Sequence, residues 1–494
     1  INGPSNLSIC DILFQLFQNV LKMKIAVSTH IGRRNEPPLD EGWIPWLGHA
    51  IEFGKDAAKF LARMKEKHGD IFTVRVAGLR VTVLLDPHSF DSVLNDRDSF
   101  DFTRIRSQVI QKVFRLQPTN IEPTLERKWM EQHFQGCSLP KLSSSMNTHL
   151  QTLLLHCHNG SAPSEWKQEG LFDLCYSLLF RAGYLTFFER TDNAAVAYQE
   201  FRKFDNLLTK LARGSLRREE RRKVSHSQER LWELLSPCGL RGGSESSTWQ
   251  QSYCDFLQQE GINADMQKKA LLLQLWTTQC NAGPAAFWLL GFLLTHPEAM
   301  EAVKSEIRGL STRRDTSFQQ PQNNPLEAHS TPVFDSILSE TLRLTAAVMI
   351  RREVVQDKIL DMANGKRYHL RRGDRVCLFP FLSPQMDPQI HQEPQTFKYD
   401  RFLNDDMTVK DEFYKDGKKL KYCSMPWGAG KNSCVGKEFA ISTIKQFVFL
   451  ALTHLDLEPC DPEAKLPPVN PSRYGFGMLQ PDGDLQVRYR LKRT

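Results

Sequence analysis

The sequence contains no C-x-x-C pair, although it has 11 cysteines among its 494 residues. This absence argues against both a disulfide framework and a structural zinc site. Basic side chains exceed acidic ones by only 7 charges, too few for a nucleic-acid-binding surface. We also find no internal repeat and no low-complexity tract. With 40% hydrophobic and 24% charged residues, the chain has the composition of a globular protein with a large core.

A long uncharged apolar run is also missing from the N-terminal part of the chain. Residues 9–27 are apolar but include Asp11, Lys22 and Lys24, so they are too polar for a clear membrane-spanning helix. Their apolar positions recur at helical spacing, which is typical of an amphipathic helix at a membrane surface and also of an ordinary surface helix. We predict a membrane-associating segment with a hinge over residues 1–35 and a single catalytic domain over residues 36–494.

Most of the remaining sequence has the spacing of helices. Residues 70–87 alternate apolar and polar side chains around Gly78, which predicts a β-hairpin. Residues 264–300 are almost uniformly apolar and predict a long core helix, in which Pro284 predicts a kink around residues 280–283. Asn281 lies at this kink, where an unpaired buried amide would cost on the order of 1–3 kcal/mol. A ligand pocket beside the kink would satisfy that amide, whereas simple bending of a packed helix would not explain it.

A cysteine near the C-terminal end lies in a glycine-rich loop. Trp427, Gly430, Cys434 and Gly436 are followed by an apolar-periodic helix. Backbone N–H groups of such a loop and the positive end of the helix both favour a thiolate, which suits an axial ligand of haem iron. Upstream, Glu340 and Arg343 share one helical face at pairing distance. Arg401 lies in a loop that could reach the same carboxylate.

These motifs, in this order and at these separations, resemble those of the cytochrome P450 family of haem-thiolate enzymes. The resemblance implies a mainly α fold with a small β part, in which haem b lies between the long central helix and the helix after Cys434. It further implies that Cys434 is the iron ligand and that Trp427 and Gly430 belong to the cofactor-binding loop. It also implies that Glu340, Arg343 and Arg401 form a structural ion-pair cluster beneath the haem. Arg352 is implied to contact a haem propionate.

One family motif is not matched. The family usually clamps a haem propionate with W-x-x-x-R, but here Trp129 is followed by His133 where the arginine is expected. Arg127, Lys128 and Lys112 are the candidates to replace it.

The central helix also lacks the residues that usually serve oxygen activation. Family members that split O₂ carry A-G-x-[D/E]-T there, and alignment places Gly283 at the acid and Pro284 at the threonine. Because positioned proton donors are typically worth about 10² to 10⁴ in rate, cleavage of O₂ should be severely handicapped. Such a site suits a substrate that already contains an O–O bond.

The wider resemblance, carried by stretches such as "LQLWTTQCNAGPAAFW" and "SRYGFGMLQP", is to an endoperoxide isomerase of this family. It implies conversion of prostaglandin H₂ to prostacyclin without O₂ or NADPH, by a monomer at the endoplasmic-reticulum membrane, facing the cytosol and needing no redox partner. Asn281 would face the substrate as a catalytic residue. The implied substrate-binding set comprises Asn281, Pro284, Trp276, Phe476, Lys112, Arg351, Arg352 and Arg375. The alternatives are a sterol or fatty-acid monooxygenase, an isomerase of the thromboxane-forming type, and a non-catalytic haem-binding sensor.

Overall fold

A computed structural model describes most of the chain. It covers residues 35–117, 123–156, 165–188, 193–236, 248–312, 326 and 329–492. The segment predicted to associate with a membrane, residues 1–35, lies outside the described residues apart from Asn35.

The chain divides into two compact units. The first comprises residues 1–102 and 350–383, and the second comprises residues 103–349 and 384–494. The interpretation of residues 36–494 as one catalytic domain stays a prediction.

The first unit is built on a mixed β-sheet. Its six strands follow the order β1-β2-β3-β9-β6-β4, and β7 and β8 form a separate antiparallel pair. The strands are β1 Leu39–Asp40, β2 Ile71–Val76, β3 Leu79–Leu84, β4 Phe100–Asp101, β6 Ile350–Val354, β7 Lys358–Asp361, β8 Arg367–Leu370 and β9 Arg375–Leu378. Its helices are α1 Ala50–Lys55, α2 Ala57–His68 and the short α3 Asp91–Leu94.

The predicted hairpin is confirmed as β2 and β3. The two strands pair antiparallel from Ile71 opposite Leu84 to Val76 opposite Leu79. Ala77 and Gly78, the two residues of the turn, have φ values of +49° and +80°. Two positive φ angles in a two-residue turn match the right-handed twist of the strands, which is why glycine is favoured there.

The second unit is mainly helical. Its helices are α4 Thr103–Phe114, α5 Pro123–Phe134, α6 Ser138–His156, α7 Leu171–Phe188, α8 Ala194–Arg213, α9 Arg218–Leu235, α10 Trp249–Gln259, α11 Ala264–Gln279, α12 Ala282–Thr295, α13 Pro297–Thr312, α14 Pro332–Thr345 and α15 Lys437–His454. A three-stranded sheet has the order β12-β13-β5, from Leu455–Pro459, Gln486–Leu491 and Lys167–Gly170, and β10 Tyr414–Lys415 pairs with β11 Lys418–Lys419. The predicted class, mainly α with a small β part, is confirmed.

The core of this unit is centred on α7 and α12. Helix α7 is long and apolar enough to cross a membrane by length and composition, but 83% of it is buried inside the protein. It is the one helix of this kind among the residues that the structure describes. Because a helix that is hydrophobic all round belongs in a core, burial explains its composition.

The central helix breaks where Pro284 predicts a kink. Helix α11 ends at Gln279 and α12 begins at Ala282, with Cys280 and Asn281 between them. Pro284 is the third residue of α12, a position whose N–H would have no partner within that helix. The prediction of one helix continuing to residue 300 is wrong, because α12 ends at Thr295. Pro297 restricts the preceding residue to extended conformations, and His296 has φ −132° and ψ 90°.

Candidate active site

The loop before α15 presents Cys434 in an accessible position. Gly428 and Gly430 have φ values of +69° and +65°, which a residue with a side chain adopts only with strain. The N–H of Cys434 donates to the carbonyl of Trp427 at 2.9 Å, which closes the loop. The loop therefore holds the backbone of Cys434 in place while its side chain remains exposed.

The protonation of Cys434 differs from the sequence-based prediction. Although the residue has access to solvent, the loop atoms packed around its sulfur shield the thiol from part of the water and raise its pKa above the ordinary value; this effect outweighs the N–H of Gly436 and the charge of Arg127, which both lower the pKa. The predicted stabilising groups are present, but they do not produce a thiolate by themselves. A coordinating metal deprotonates a thiol outright, so the thiolate would form when iron binds.

A second cysteine, Cys423, lies eleven residues before Cys434 and is a less suitable ligand. It is half-buried, and burial raises the pKa of its thiol to about 11. Its carbonyl accepts a hydrogen bond from Nε2 of His391 at 3.0 Å. It has neither the glycine-rich loop nor the following helix that flank Cys434. Cys423 therefore serves as a natural control for experiments on Cys434.

The structure brings Glu340, Arg343 and Arg401 together in the interior of the second unit. Nε of Arg343 donates to Oε2 of Glu340 at 2.7 Å, and Nη2 donates to Oε1 at 2.8 Å. Nε of Arg401 lies 2.9 Å from both oxygens of the same carboxylate. Glu340 and Arg343 are both 0% exposed. One carboxylate thus binds two guanidinium groups without access to water.

The remaining donors of the two arginines bind backbone carbonyls. Nη1 of Arg343 donates to the carbonyls of Gln385 and Pro394 at 2.6 and 2.7 Å. Nη1 of Arg401 donates to Gln392 at 2.7 Å. The cluster therefore ties α14 to the loop that leads toward Cys434. Its predicted position beneath a haem stays a prediction.

Asn281 is only partly free to meet a ligand. Its Oδ1 accepts the backbone N–H of Met478 at 3.0 Å, so this part of the amide is satisfied without a ligand, and the predicted ligand pocket beside the kink stays a prediction. Its Nδ2 has no partner within the part of the chain that the structure describes. The break therefore leaves one amide donor available, at a half-buried position.

Close helix packing explains Gly283 and Pro284. A Cβ at Gly283 would overlap the ring of Tyr176 on α7. Pro284 has no N–H to donate to the carbonyl of Cys280, and the hydroxyl of Tyr176 donates to that carbonyl instead, at 3.4 Å. An acidic side chain at position 283 has no room, so the missing relay reflects the packing of α12 on α7.

The basic residues proposed for the propionate clamp lie in different places. Nη1 of Arg127 donates to the carbonyl of Ser433 at 3.1 Å, directly beside Cys434. Lys128 is exposed, and the ammonium of exposed Lys112 lies beside Gly214 at the end of α8. Of the three candidates, Arg127 is the one that the structure brings to the cysteine loop.

The substitution of His133 for the clamp arginine is explained by local packing. Its ring stacks on Trp129 with centroids 3.7 Å apart, and Nε2 lies 3.2 Å from Oγ of Ser252. Trp129 is itself buried against Trp249 and Tyr253. His133 therefore belongs to an aromatic core.

Arg351, Arg352 and Arg375 lie in the first unit, on neighbouring strands β6 and β9. Arg352 is 4% exposed, with its guanidinium 4.9 Å from the ring centroid of Phe102. Burial lowers the pKa of Arg352, and burial also lowers that of Arg375. The charge of Asp101 partly offsets the effect of burial on the pKa of Arg352, and no ion pair with Arg352 is found among the described residues. A buried guanidinium that forms no ion pair within the protein is suited to bind an anionic group.

The predicted pocket residues of the second unit are apolar or partly unsatisfied. Trp276 is half-buried, and its ring centroid lies 5.7 Å from that of Phe114. Its buried Nε1 has no hydrogen-bond partner among the described residues. Phe476 is half-buried, and Pro284 is buried.

A polar chain beside the break was not predicted. Nε2 of Gln274 donates to the hydroxyl of Tyr253 at 3.0 Å, which donates to Oε1 of Glu126 at 2.9 Å. The hydroxyl of Thr277, one turn before Asn281, lies 3.2 Å from Oε1 of Gln274. Since these residues come from three distant helices, no local motif could reveal the chain.

Comparison with known proteins decides the family. The profile described as Cytochrome P450 matches residues 37–487. The chain belongs to the cytochrome P450 family. It is 49% identical to prostacyclin synthase of Rattus norvegicus over 475 residues, which cover 93% of this chain and 95% of the relative. Prostacyclin synthase of Homo sapiens is 48% identical with the same coverage, and 7-alpha-hydroxycholest-4-en-3-one 12-alpha-hydroxylase of Oryctolagus cuniculus is 41% identical over 93% of this chain and 94% of the relative.

Membership of this family makes the chain a haem-thiolate P450. The residues present fit this cofactor, because an accessible cysteine precedes a helix and an arginine lies beside its loop. Within the described residues no group of three or more His, Cys, Asp or Glu side chains could hold a different metal ion.

Proposed function

We propose that this P450 isomerises prostaglandin H₂ to prostacyclin without O₂ or NADPH. The observation that carries the proposal is the replacement of the usual acid and hydroxyl by Gly283 and Pro284, with the ring of Tyr176 leaving no space for a side chain at position 283. The similarity to two mammalian prostacyclin synthases over nearly the whole chain supports it.

Different residues of the chain have different roles in this reaction. When bound, the haem supplies a thiolate-ligated iron that can break a peroxide O–O bond without external electrons. Cys434 would hold that iron, and Arg127 supports the loop from the side of α5. Asn281 orients the substrate, because its Oδ1 is fixed by Met478 and its Nδ2 remains able to donate to a substrate oxygen.

The apolar residues around the break keep the reaction dry. Trp276, Pro284 and Phe476 provide surfaces that exclude water from the substrate, so the C9 oxygen can close the new ring before water adds. The absence of the usual acid and hydroxyl also favours ring closure, because no side chain at positions 283 and 284 can return a proton to a cleaved oxygen. We assign Lys112, Arg351, Arg352 and Arg375 to carboxylates of the cofactor or the substrate.

The proposal is tested with purified, haem-loaded protein and prostaglandin H₂ in the absence of NADPH. The expected product is 6-keto-prostaglandin F1α, into which prostacyclin hydrolyses. Cys434→Ser should lose both the thiolate signature of the carbon monoxide difference spectrum and the product, whereas the control Cys423→Ser should retain both. Thromboxane as the product would instead assign the chain to the other type of isomerase, and no turnover would leave a haem-binding sensor.

A monooxygenase is the second candidate, favoured by the 41% identity to a hydroxylase. It would act on a sterol or fatty acid and would need a water relay in place of the missing side chains. NADPH consumption coupled to a hydroxylated product would establish it, and endoperoxide turnover without NADPH would exclude it.

We also propose that the protein acts as a monomer at the endoplasmic-reticulum membrane with its catalytic part facing the cytosol. In the first unit, Trp43 is 99% exposed, and Ile44, Trp46 and Ile51 are exposed as well. A cluster of exposed tryptophan and isoleucine side chains is typical of a surface that contacts lipid or another protein. Its position just after residues 1–35 favours the membrane.

A further inference from the structure

A buried carboxylate on α8 binds both ends of the turn that carries Phe476. Asp205 is 0% exposed. Its two oxygens accept from Nη1 and Nη2 of Arg473 at 3.0 and 2.9 Å, and Nε2 of Gln480 donates to Oδ2 at 2.8 Å. Arg473 and Gln480 are the first and last residues of this turn, which we call the 473–480 turn. One side chain therefore fixes both of its ends.

Helix α8 also binds the residue that directly precedes the 473–480 turn. Nη2 of Arg213 donates to the carbonyl of Ser472 at 2.8 Å. Its guanidinium lies 5.6 Å from the ring centroid of Phe476. Asp205 and Arg213 are eight residues apart, so both side chains project from one face of the helix. Two attachments prevent the turn from pivoting about either one.

The 473–480 turn in turn positions the break in the central helix. The N–H of Met478 donates to Oδ1 of Asn281 at 3.0 Å. Gly477, with φ +93°, has no room for a side chain because Asn281 lies against it. The indole N–H of Trp288 on α12 donates to the carbonyl of Leu479 at 2.7 Å. A shift of the turn must therefore move the amide of Asn281 as well as the ring of Phe476.

We propose that Asp205 is a positioning residue that controls the outcome of the reaction through the 473–480 turn. The proposal rests on the proposed function, because Phe476 and Asn281 are the substrate contacts that it positions. Substrate radicals and cations have several possible fates, and the orientation of the substrate selects among them. A displacement of about 1 Å by a change remote from the chemistry can cost roughly 100-fold in rate.

The use of a buried ion pair at Asp205 supports a role in positioning the 473–480 turn over a role in stabilising the fold alone. Burial alone would raise the pKa of Asp205, but Arg473 and Arg202 hold it below the ordinary value, so the carboxylate stays charged. Replacing a buried ion pair by apolar residues is often neutral or stabilising. What such a replacement loses is the directed hydrogen bonds that set the geometry of the turn.

The test compares variants that remove the hydrogen bonds between Asp205 and the 473–480 turn without leaving Asp205 or Arg473 buried alone. Arg202, the other cation beside Asp205, keeps 18% of its side chain exposed and can be hydrated. The first is the double variant Asp205→Leu with Arg473→Met, and the milder second is Gln480→Met, which keeps the ion pair. The matched control is Asp387→Leu with Lys415→Met, which removes a buried pair with a 2.8 Å contact in the same unit. All proteins are examined as haem-loaded full chains, with the carbon monoxide difference spectrum as the check on folding.

Three measurements are informative. They are the fraction of consumed prostaglandin H₂ recovered as prostacyclin, the Kd of a stable analogue in which one bridging oxygen is replaced by carbon, and hydrogen exchange at the amides of Gly475, Gly477 and Met478. Prostaglandin H₂ also decomposes without the enzyme, so the loss measured with heat-denatured protein is subtracted from the consumption. After this subtraction, partial misfolding lowers the total yield without changing the product fraction.

We expect the double variant and Gln480→Met to lower the fraction of consumed prostaglandin H₂ recovered as prostacyclin and to raise the Kd of the analogue. The double variant should also lose about 10- to 100-fold in kcat. Exchange in the turn should become faster, and the control should resemble the wild type. The proposal would be overturned if Gln480→Met and the double variant both had the product fraction and the Kd of the wild type. If the double variant fails to bind haem, the result for Gln480→Met alone decides the proposal. If the wild type forms no prostacyclin, the proposed function fails, while hydrogen exchange in the two variants still decides whether Asp205 positions the 473–480 turn.

Discussion

At the scale of single residues, the site depends on groups whose charge is set by their surroundings. Cys434 illustrates this, because burial raises the pKa of its thiol although Gly436 and Arg127 act in the opposite direction. The cofactor-free protein therefore holds a protonated thiol in an accessible position. We therefore expect the thiolate that defines the family to form as iron binds.

Haem affinity should therefore depend on pH through Cys434. Because binding releases the thiol proton, the affinity should rise by close to tenfold per pH unit while the pH is below the pKa of the thiol, and should level off above it. The measurement is the equilibrium distribution of haem between this protein and a competing apoprotein of known affinity, between about pH 6 and 9. Cys423→Ser should show the same slope, and an affinity independent of pH would contradict the raised pKa of Cys434.

Glu340 should be the most stability-critical carboxylate of the second unit. Glu340→Gln leaves Arg343 and Arg401 buried without a negative partner, and breaking a buried pair in this way costs about 3–5 kcal/mol. The control is Asp265→Asn, whose partner Lys269 forms an exposed i,i+4 pair and whose loss should cost no more than about 0.5 kcal/mol. Urea unfolding of both variants measures the difference, and equal losses would show that the cluster is not critical.

At the scale of elements, the decisive feature is the break between α11 and α12. The break could be predicted because Asn281, Gly283 and Pro284 are all unfavourable inside a helix. The reason for Gly283 could not, since it depends on Tyr176 more than a hundred positions away. Likewise, the partner of Asn281 is a backbone N–H at residue 478, and no periodicity connects the two. Local spacing therefore revealed the break, whereas its contacts required the fold.

Gly283→Ala should destabilise the protein although alanine is the better helix former. The added methyl group overlaps the ring of Tyr176, and overpacking of a core costs typically about 1–3 kcal/mol. Gly309→Ala on α13 is the matched control, because nothing lies within 4 Å of its Cβ position, and it should stabilise by up to about 1 kcal/mol.

Thermal unfolding of the haem-loaded proteins distinguishes these effects. A Gly283→Ala variant as stable as the wild type would mean that α7 and α12 can separate to accept a side chain. The packing explanation for the missing relay would then fail.

At the scale of the whole molecule, the parts that could be predicted are those encoded by neighbouring residues. The Cys434 loop, the Glu340–Arg343 pair and the β2–β3 hairpin each depend on spacing within about twenty residues. The Asp205–Arg473 pair joins residues 268 positions apart, in segments without any motif. Long-range polar contacts of this kind escape sequence patterns, because a single aspartate in a helix is usually solvated.

Membrane binding should depend on the exposed apolar side chains of the first unit as well as on residues 1–35. Burial of one tryptophan or isoleucine side chain in lipid contributes roughly 1.5–3 kcal/mol, so Trp43→Ser with Ile51→Ser should weaken vesicle binding at least about tenfold. The measurement is co-flotation with phosphatidylcholine vesicles of protein lacking residues 1–35. The control is Met407→Ser with Val409→Ser, which removes two exposed apolar side chains of the second unit, 50% and 51% exposed. Equal binding by both double variants would show that this surface of the first unit does not contact lipid and that another partner must account for its exposure.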